Sequence, residues 1–197
     1  KSGKKKDKSG LVLSGKKTFE HDDFEKLNGM EMLQVLTGCE CKDFSGSVEE
    51  YFKYRKQGKK DGFVPVIVAT DDIYFEQLKI MLGCDGENSI AKIQEIVEAY
   101  HKKMLKSNVE DGKAYLDANY IDAEWNEEEL EEEFEEENEF SRGGYLVRVP
   151  VTEPWRIWAY LPYGGWNSCP KVTEHMAVSK YWYEQYGAYP AALSFDT

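Results

Sequence analysis

Phe63–Thr70 reads FVPVIVAT and is followed at once by Asp71-Asp72 and then IYFEQLKIMLG. The first run is compact, β-branched and uncharged, which is the pattern of a strand buried on both faces. Pro65 lacks an N–H, so the strand must have an open side at that position or begin there. Asp71 and Asp72 supply N-cap side chains for the next segment, and Gly83 supplies its stop. A buried strand feeding a helix within two residues is the step of an α/β chain.

Working outward, the same alternation continues. Upstream, GMEMLQVLTG predicts a short helix stopped by Gly38. SVEEYFKYRKQG predicts a second, with Ser47 as N-cap, Glu50 completing a capping box and Gly58 as its end. Downstream, Ser89 opens the clearest helix. Ile90, Ile93, Val97, Tyr100 and Met104 follow one another at steps of three and four, a continuous apolar stripe suited to packing on a sheet. Residues 107–123 carry no such period and read as loop. GYLVRVPV (144–151), WRIWAYLPY (155–163) and AYPAALSF (188–195) read as strands. PKVTEHMAVSKYWYEQYG (170–187) reads as a helix with Pro170 at its first position and Gly187 at its end. The expected architecture is α/β (or α+β): a single mixed sheet flanked by helices, closing on a strand–loop–helix–strand unit. Such a unit favours a parallel pair joined by a right-handed crossover.

Charge divides the chain of 197 residues more sharply than hydropathy does. The formal net charge is −12. Glu124–Glu139 contains eleven Glu and no Lys or Arg, and without them 26 acids face 25 bases. The acidity thus belongs to one stretch, read here as an exposed insertion at about 124–139 in an otherwise single domain spanning 17–197. Residues 1–16, opening with KSGKKKDKSG, read as a flexible basic leader. The chain starts on Lys1 with no visible signal peptide. A cytoplasmic location is the expectation; export or lipid anchoring after removal of a signal is the alternative. No run approaches the ~18 apolar residues of a membrane helix, so a soluble chain is expected. The four Cys and three His show no metal-ligand spacing, and Cys39-Glu40-Cys41 alone lacks the second pair that zinc takes. No metal and no cofactor is expected. Glycine-rich phosphate loops, serine elbows and paired-carboxylate signatures are absent.

The remaining chemistry gathers in YLPYGGWNSCPKV (Tyr160–Val172). Gly164 and Gly165 permit positive φ or close backbone approach. Asn167 turns or caps the chain through its side chain. Placing Pro170 at the first helical position puts Cys169 at the N-cap, where the helix dipole favours a thiolate. His175, six residues on, is then expected to face elsewhere and to be a weak base. Asp196 approaches the loop if the strands on either side of it are parallel neighbours. Twelve of the 27 aromatic residues lie between Tyr145 and Phe195, more than one core face needs, so some rings line a pocket or an interface. Arg148 and Arg156 alone make no basic patch in that region, so nucleic acid is not expected as a partner.

The stretch from Pro150 to Thr197 resembles an uncharacterised bacterial family, domain of unknown function 4253. The resemblance rests on Pro162, Gly164-Gly165-Trp166-Asn167, Cys169-Pro170, Trp182-Tyr183, Tyr186-Gly187-Ala188 and Asp196. Members run on past the Asp, which implies that more chain follows Thr197 naturally. The resemblance implies no activity. Two readings remain. In the first, a non-catalytic module binds a protein partner or small ligand through Tyr163, Gly164, Gly165, Trp166 and Asn167. In the second, a hydrolase or transferase uses Cys169 as nucleophile with Asp196 in support.

Overall fold

The computed structural model describes residues 19–44, 46–70, 72–120, 144–165 and 169–193. The basic leader, the acidic stretch, Trp166, Asn167 and Asp196 lie outside them. The chain is a mixed α/β structure, as the strand and helix patterns predict, built on one four-stranded sheet whose first strand, Glu40–Phe44, those patterns did not mark. The strands are β1 (Glu40–Phe44), β2 (Val64–Val68), β3 (Gly144–Val149) and β4 (Ala192–Leu193), in the order β1-β3-β2-β4. β3 runs antiparallel to both neighbours, pairing Phe44 with Gly144 on one side and Val64 with Val149 on the other. β2 and β4 are parallel, with Ile67 opposite Ala192 and Val68 opposite Leu193.

All five residues of β2 are buried, because helices cover both faces of the sheet. Val64, Val66 and Val68 join Val147, Val149 and Leu193 in the larger core. That core also takes in α1 (Gly29–Thr37), α3 (Asp72–Leu82) and α4 (Ile90–Met104). Ile67 and Leu146 point the other way, under Tyr51 of α2 (Val48–Asp61). Pro65 is accommodated by the shortness of β4. The N–H groups of Ile67 and Ala69 donate to Ala191 and Leu193. By the two-residue period the nitrogen of Pro65 faces the same side, below the reach of β4.

Local chemistry fixes the helix ends. Asn28 and Glu31 form a reciprocal capping box at α1, and Gly38 ends it in the left-handed conformation. Ser47 accepts from Glu50 N–H at the start of α2, as predicted, but α2 does not stop at Gly58. It continues to Asp61 and ends on Gly62. Gly58 is a contact position: a Cβ there would sit 2.3 Å from the carbonyl oxygen of Phe63. At α4 the Ser89 side chain makes no cap. Asp22 does so across 69 residues, accepting Ala91 N–H at 2.9 Å through Oδ1 and the Ser89 hydroxyl at 2.9 Å through Oδ2. Those hydrogen bonds hold the Asp22 carboxyl below its ordinary pKa.

Three expectations are corrected. Residues 107–123 are not loop throughout. Gly112–Tyr120 forms α5, started by Asp111, whose carboxylate accepts from the N–H groups of Lys113 and Ala114. Gly112 is buried there, where a Cβ would come 2.1 Å from the Ala177 oxygen. Residues 155–163 are not a strand. Pro154–Ala159 is a 3-10 helix with Pro154 starting it, and Trp155, Ile157, Trp158 and Ala159 are all buried. A two-faced strand would have exposed one of those sets; a tight turn buries both against α6 (Val172–Tyr186) and the core. Among the described residues the final strand covers Ala192–Leu193, with 188–191 outside it, and its parallel neighbour is β2. The expected C-terminal unit is therefore not formed: β3, the strand that precedes the 3-10 helix and α6, is neither a neighbour of β4 nor parallel to it, because β2 lies between them, antiparallel to β3 and parallel to β4.

Candidate functional site

The C-terminal loop folds back on the start of α6. The Gly165 N–H donates to the carbonyl oxygens of Pro170 (3.0 Å) and Cys169 (3.2 Å), closing the loop on itself. Gly164 and Gly165 take φ of +93° and +85°. At Gly164 only hydrogen fits. A Cβ would lie 2.0 Å from the Pro170 oxygen and 2.8 Å from His175 Nε2. The close approach that the glycines were expected to allow is therefore made by the chain's own backbone and by an imidazole.

α6 begins at Val172 with Lys171 at its N-cap position, whose N–H donates to the Glu174 carboxylate. Cys169 is therefore not an N-cap residue but stands two positions outside the helix, and Pro170 is not its first helical residue. This shift changes the fate of His175. Side chains in a helix lean toward its N-terminus, so a residue in the first turn overhangs the segment that precedes it. His175 Nε2 comes to 3.7 Å from Cys169 Sγ, a long hydrogen-bonding contact for sulfur. The imidazole expected to face elsewhere is thus within reach of the thiol. The missed signal is Lys171-Val172-Thr173-Glu174, which places the helix start two residues beyond Pro170 and His175 in its first turn.

His175 is held by rings. It stacks on Trp158 with centroids 4.6 Å apart and planes at 21°, and meets Tyr163 edge-on at 6.0 Å. Trp158 is itself fixed, because its Nε1–H donates to the buried Ser179 hydroxyl at 2.8 Å. Ser179 and His175 are one turn apart on α6, so one indole reads both. Burial lowers the His175 pKa from its ordinary value, with Glu174 opposing weakly. The neutral imidazole, which can accept a proton, is thus favoured at neutral pH.

Two of the other thiols differ. Cys39 and Cys84 are buried, and desolvation raises both pKa values, that of Cys39 strongly. Their Sγ atoms donate to the carbonyls of Thr37 and Lys79. Cys169 is half-buried, and the four thiols are all unbridged. No group of three His, Cys, Asp or Glu side chains among the described residues is arranged to hold a metal ion. No described helix is long and apolar enough to cross a membrane.

Of the residues singled out from the sequence, the structure brings together Tyr163, Gly164, Gly165 and Cys169. Tyr163 is half-buried, Gly164 buried and Gly165 exposed. Because 155–163 is not a strand, the loop follows a 3-10 helix instead of a strand end. No curated protein and no solved structure matches this chain. Residues 145–197, which hold nearly all of β3, the 3-10 helix, the Cys169–His175 pair and α6, match the model of the family described as domain of unknown function (DUF4253).

Proposed function

We propose that Cys169 is a nucleophile served by His175, in a hydrolase or acyltransferase of the Cys–His type. The single observation that carries this reading is the 3.7 Å approach of His175 Nε2 to Cys169 Sγ. A catalytic thiol needs a base within reach and a group that orients the base. Here the stack on Trp158 does the orienting. In the tautomer with its proton on Nδ1, Nε2 takes the thiol proton as sulfur attacks an acyl carbon. It then delivers that proton to the departing oxygen or nitrogen. Water or an acceptor alcohol or amine, deprotonated by the same nitrogen, releases the acyl group and restores the thiol. Because burial disfavours a standing imidazolium, the transfer accompanies attack and does not precede it.

p-Nitrophenyl acetate followed by intact-mass analysis tests the reading. One acetyl group is expected on Cys169, absent in Cys169→Ala. Its formation should be slowed by about tenfold or more in His175→Gln, in line with general-base contributions. Equal acetylation in His175→Gln, or none in the wild type, would remove the proposal.

A second reading, binding without chemistry through the same loop, is favoured by the exposure of Gly165 next to the Tyr163 ring. It predicts a ligand whose affinity survives Cys169→Ser unchanged and drops in Tyr163→Ala.

A further inference from the structure

α2 carries a run of cations that the regional reading of the C-terminal aromatics left out. Lys53, Arg55, Lys56, Lys59 and Lys60 fall within eight positions with no acid among them. Phe52, Arg55, Lys56 and Lys59 follow the i, i+3, i+4, i+7 pattern of one helical face. Phe52 is 47% exposed, and Lys56 and Lys59 are exposed as well. None of the five cations forms an ion pair among the described residues. The ion pair made from α2 there is that of Glu50 with Lys42.

The tertiary fold lays C-terminal rings against this face. Ala191 and Ala192 pack onto the cluster under Tyr51, which brings Tyr189 beside α2. The Arg55 guanidinium stands 4.8 Å from the centre of the Tyr189 ring and 5.9 Å from that of Phe52. Tyr189 in turn meets Tyr183 of α6 edge-on at 6.3 Å, and Tyr183 is exposed. One cation, Arg55, therefore sits between the rings of Phe52 and Tyr189, with Tyr183 beyond Tyr189 and Lys56 and Lys59 on the same helical face. The guanidinium lies against the Tyr189 ring and is hydrogen-bonded to the Tyr189 side chain, and it pairs with no described carboxylate.

We infer that this face of α2, with Tyr189 and Tyr183, is a docking surface for an acidic segment of a partner protein that carries an aromatic anchor. Charge complementarity is the argument. Five cations within eight positions, none in an ion pair among the described residues, beside exposed rings, attract a short acidic segment that carries a ring. The rings give an anchor side chain apolar cover, and a guanidinium held against Tyr189 loses little freedom on binding a carboxylate. This inference is independent of the Cys169 chemistry.

The test is a fluorescence-anisotropy titration at low salt with a labelled synthetic peptide, DDDWDDD, whose sequence does not occur in this chain. The proteins are the full chain, Lys56→Glu/Lys59→Glu, Phe52→Ala, and a variant with the eleven Glu of 124–139 replaced by Gln. Binding is expected in the full chain. It should weaken about tenfold or more on charge reversal and about fivefold in Phe52→Ala, at unchanged circular dichroism. Unchanged affinity on charge reversal overturns the inference. Binding seen only in the Gln variant overturns the separate partner and gives the surface to the chain's own acidic stretch. Tighter binding of a single-stranded oligothymidylate than of the peptide overturns it in favour of nucleic acid.

Discussion

His101 and His175 are built alike and placed differently. Both lie against a ring: His101 tilted by 40° on Tyr160 with centroids 4.3 Å apart, His175 stacked on Trp158 at 4.6 Å. Burial lowers both pKa values, that of His101 to about 4. Yet His101 is only 9% exposed, and its Nε2 has no hydrogen-bond partner among the described residues. The same atom of His175 faces a half-buried thiol. Desolvation therefore marks a histidine as unusual without marking it as functional. What distinguishes a candidate base is a group to exchange a proton with, at the edge of the core and not inside it.

The comparison extends to the thiols beside each imidazole. Cys39 lies next to Gly38, whose missing Cβ would touch His101 at 3.5 Å, but that corner is closed. Iodoacetamide at neutral pH should alkylate Cys169 at least about 10³-fold faster than Cys39 or Cys84, which react only through opening of the core. Peptide mapping with time would show it. Equal rates would break the contrast, because Cys169 would then be as enclosed as the others.

A smaller effect separates the histidines by acid. The folded pKa of His101 lies below the unfolded value of about 6.5, so the unfolded chain binds more protons between those limits. Its contribution is complete above pH 6.5 and is lost as pH falls toward 4, by up to about 3 kcal/mol. The groups facing His101 are Glu98 on its own helix, which opposes the shift, and Tyr160 across the core. Urea melts at pH 7 and pH 4.5 should therefore differ, and His101→Phe should reduce the difference while His175→Phe reduces it less. Identical pH dependence in both variants would show the two sites to be equivalent.

The smallest effect sharpens the role of Trp158. Ser179→Ala leaves the indole N–H unpaired in the core and should cost about 1–2 kcal/mol in a urea melt. It should also slow Cys169 acetylation several-fold, because the plane that holds His175 loses its anchor. A stability loss with unchanged acetylation would make Trp158 packing alone.

Much of this molecule was legible in order along the chain. The period of Ile90, Ile93 and Val97, the β-branched run of Val64–Val68, Ser47 before α2 and Gly187 after α6 each act within a few residues of themselves. Local sterics and backbone hydrogen bonding are sequence-local, so the elements and the mixed α/β class could be read directly. The stretch 155–163 misled because its apolar density fits a strand or a fully buried turn equally, and only the surfaces around it choose. α5 escaped notice because its one strong signal, Asp111, precedes a segment without an apolar stripe.

The amino-acid order alone placed the thiol, the two glycines and the rings in one loop. The tertiary structure alone set the helix start at Val172, swung His175 over Cys169, and laid Tyr189 on the basic face of α2. Each of those contacts depends on where a segment enters a helix or crosses a sheet. A shift of one residue at such a point turns a side chain by about 100°.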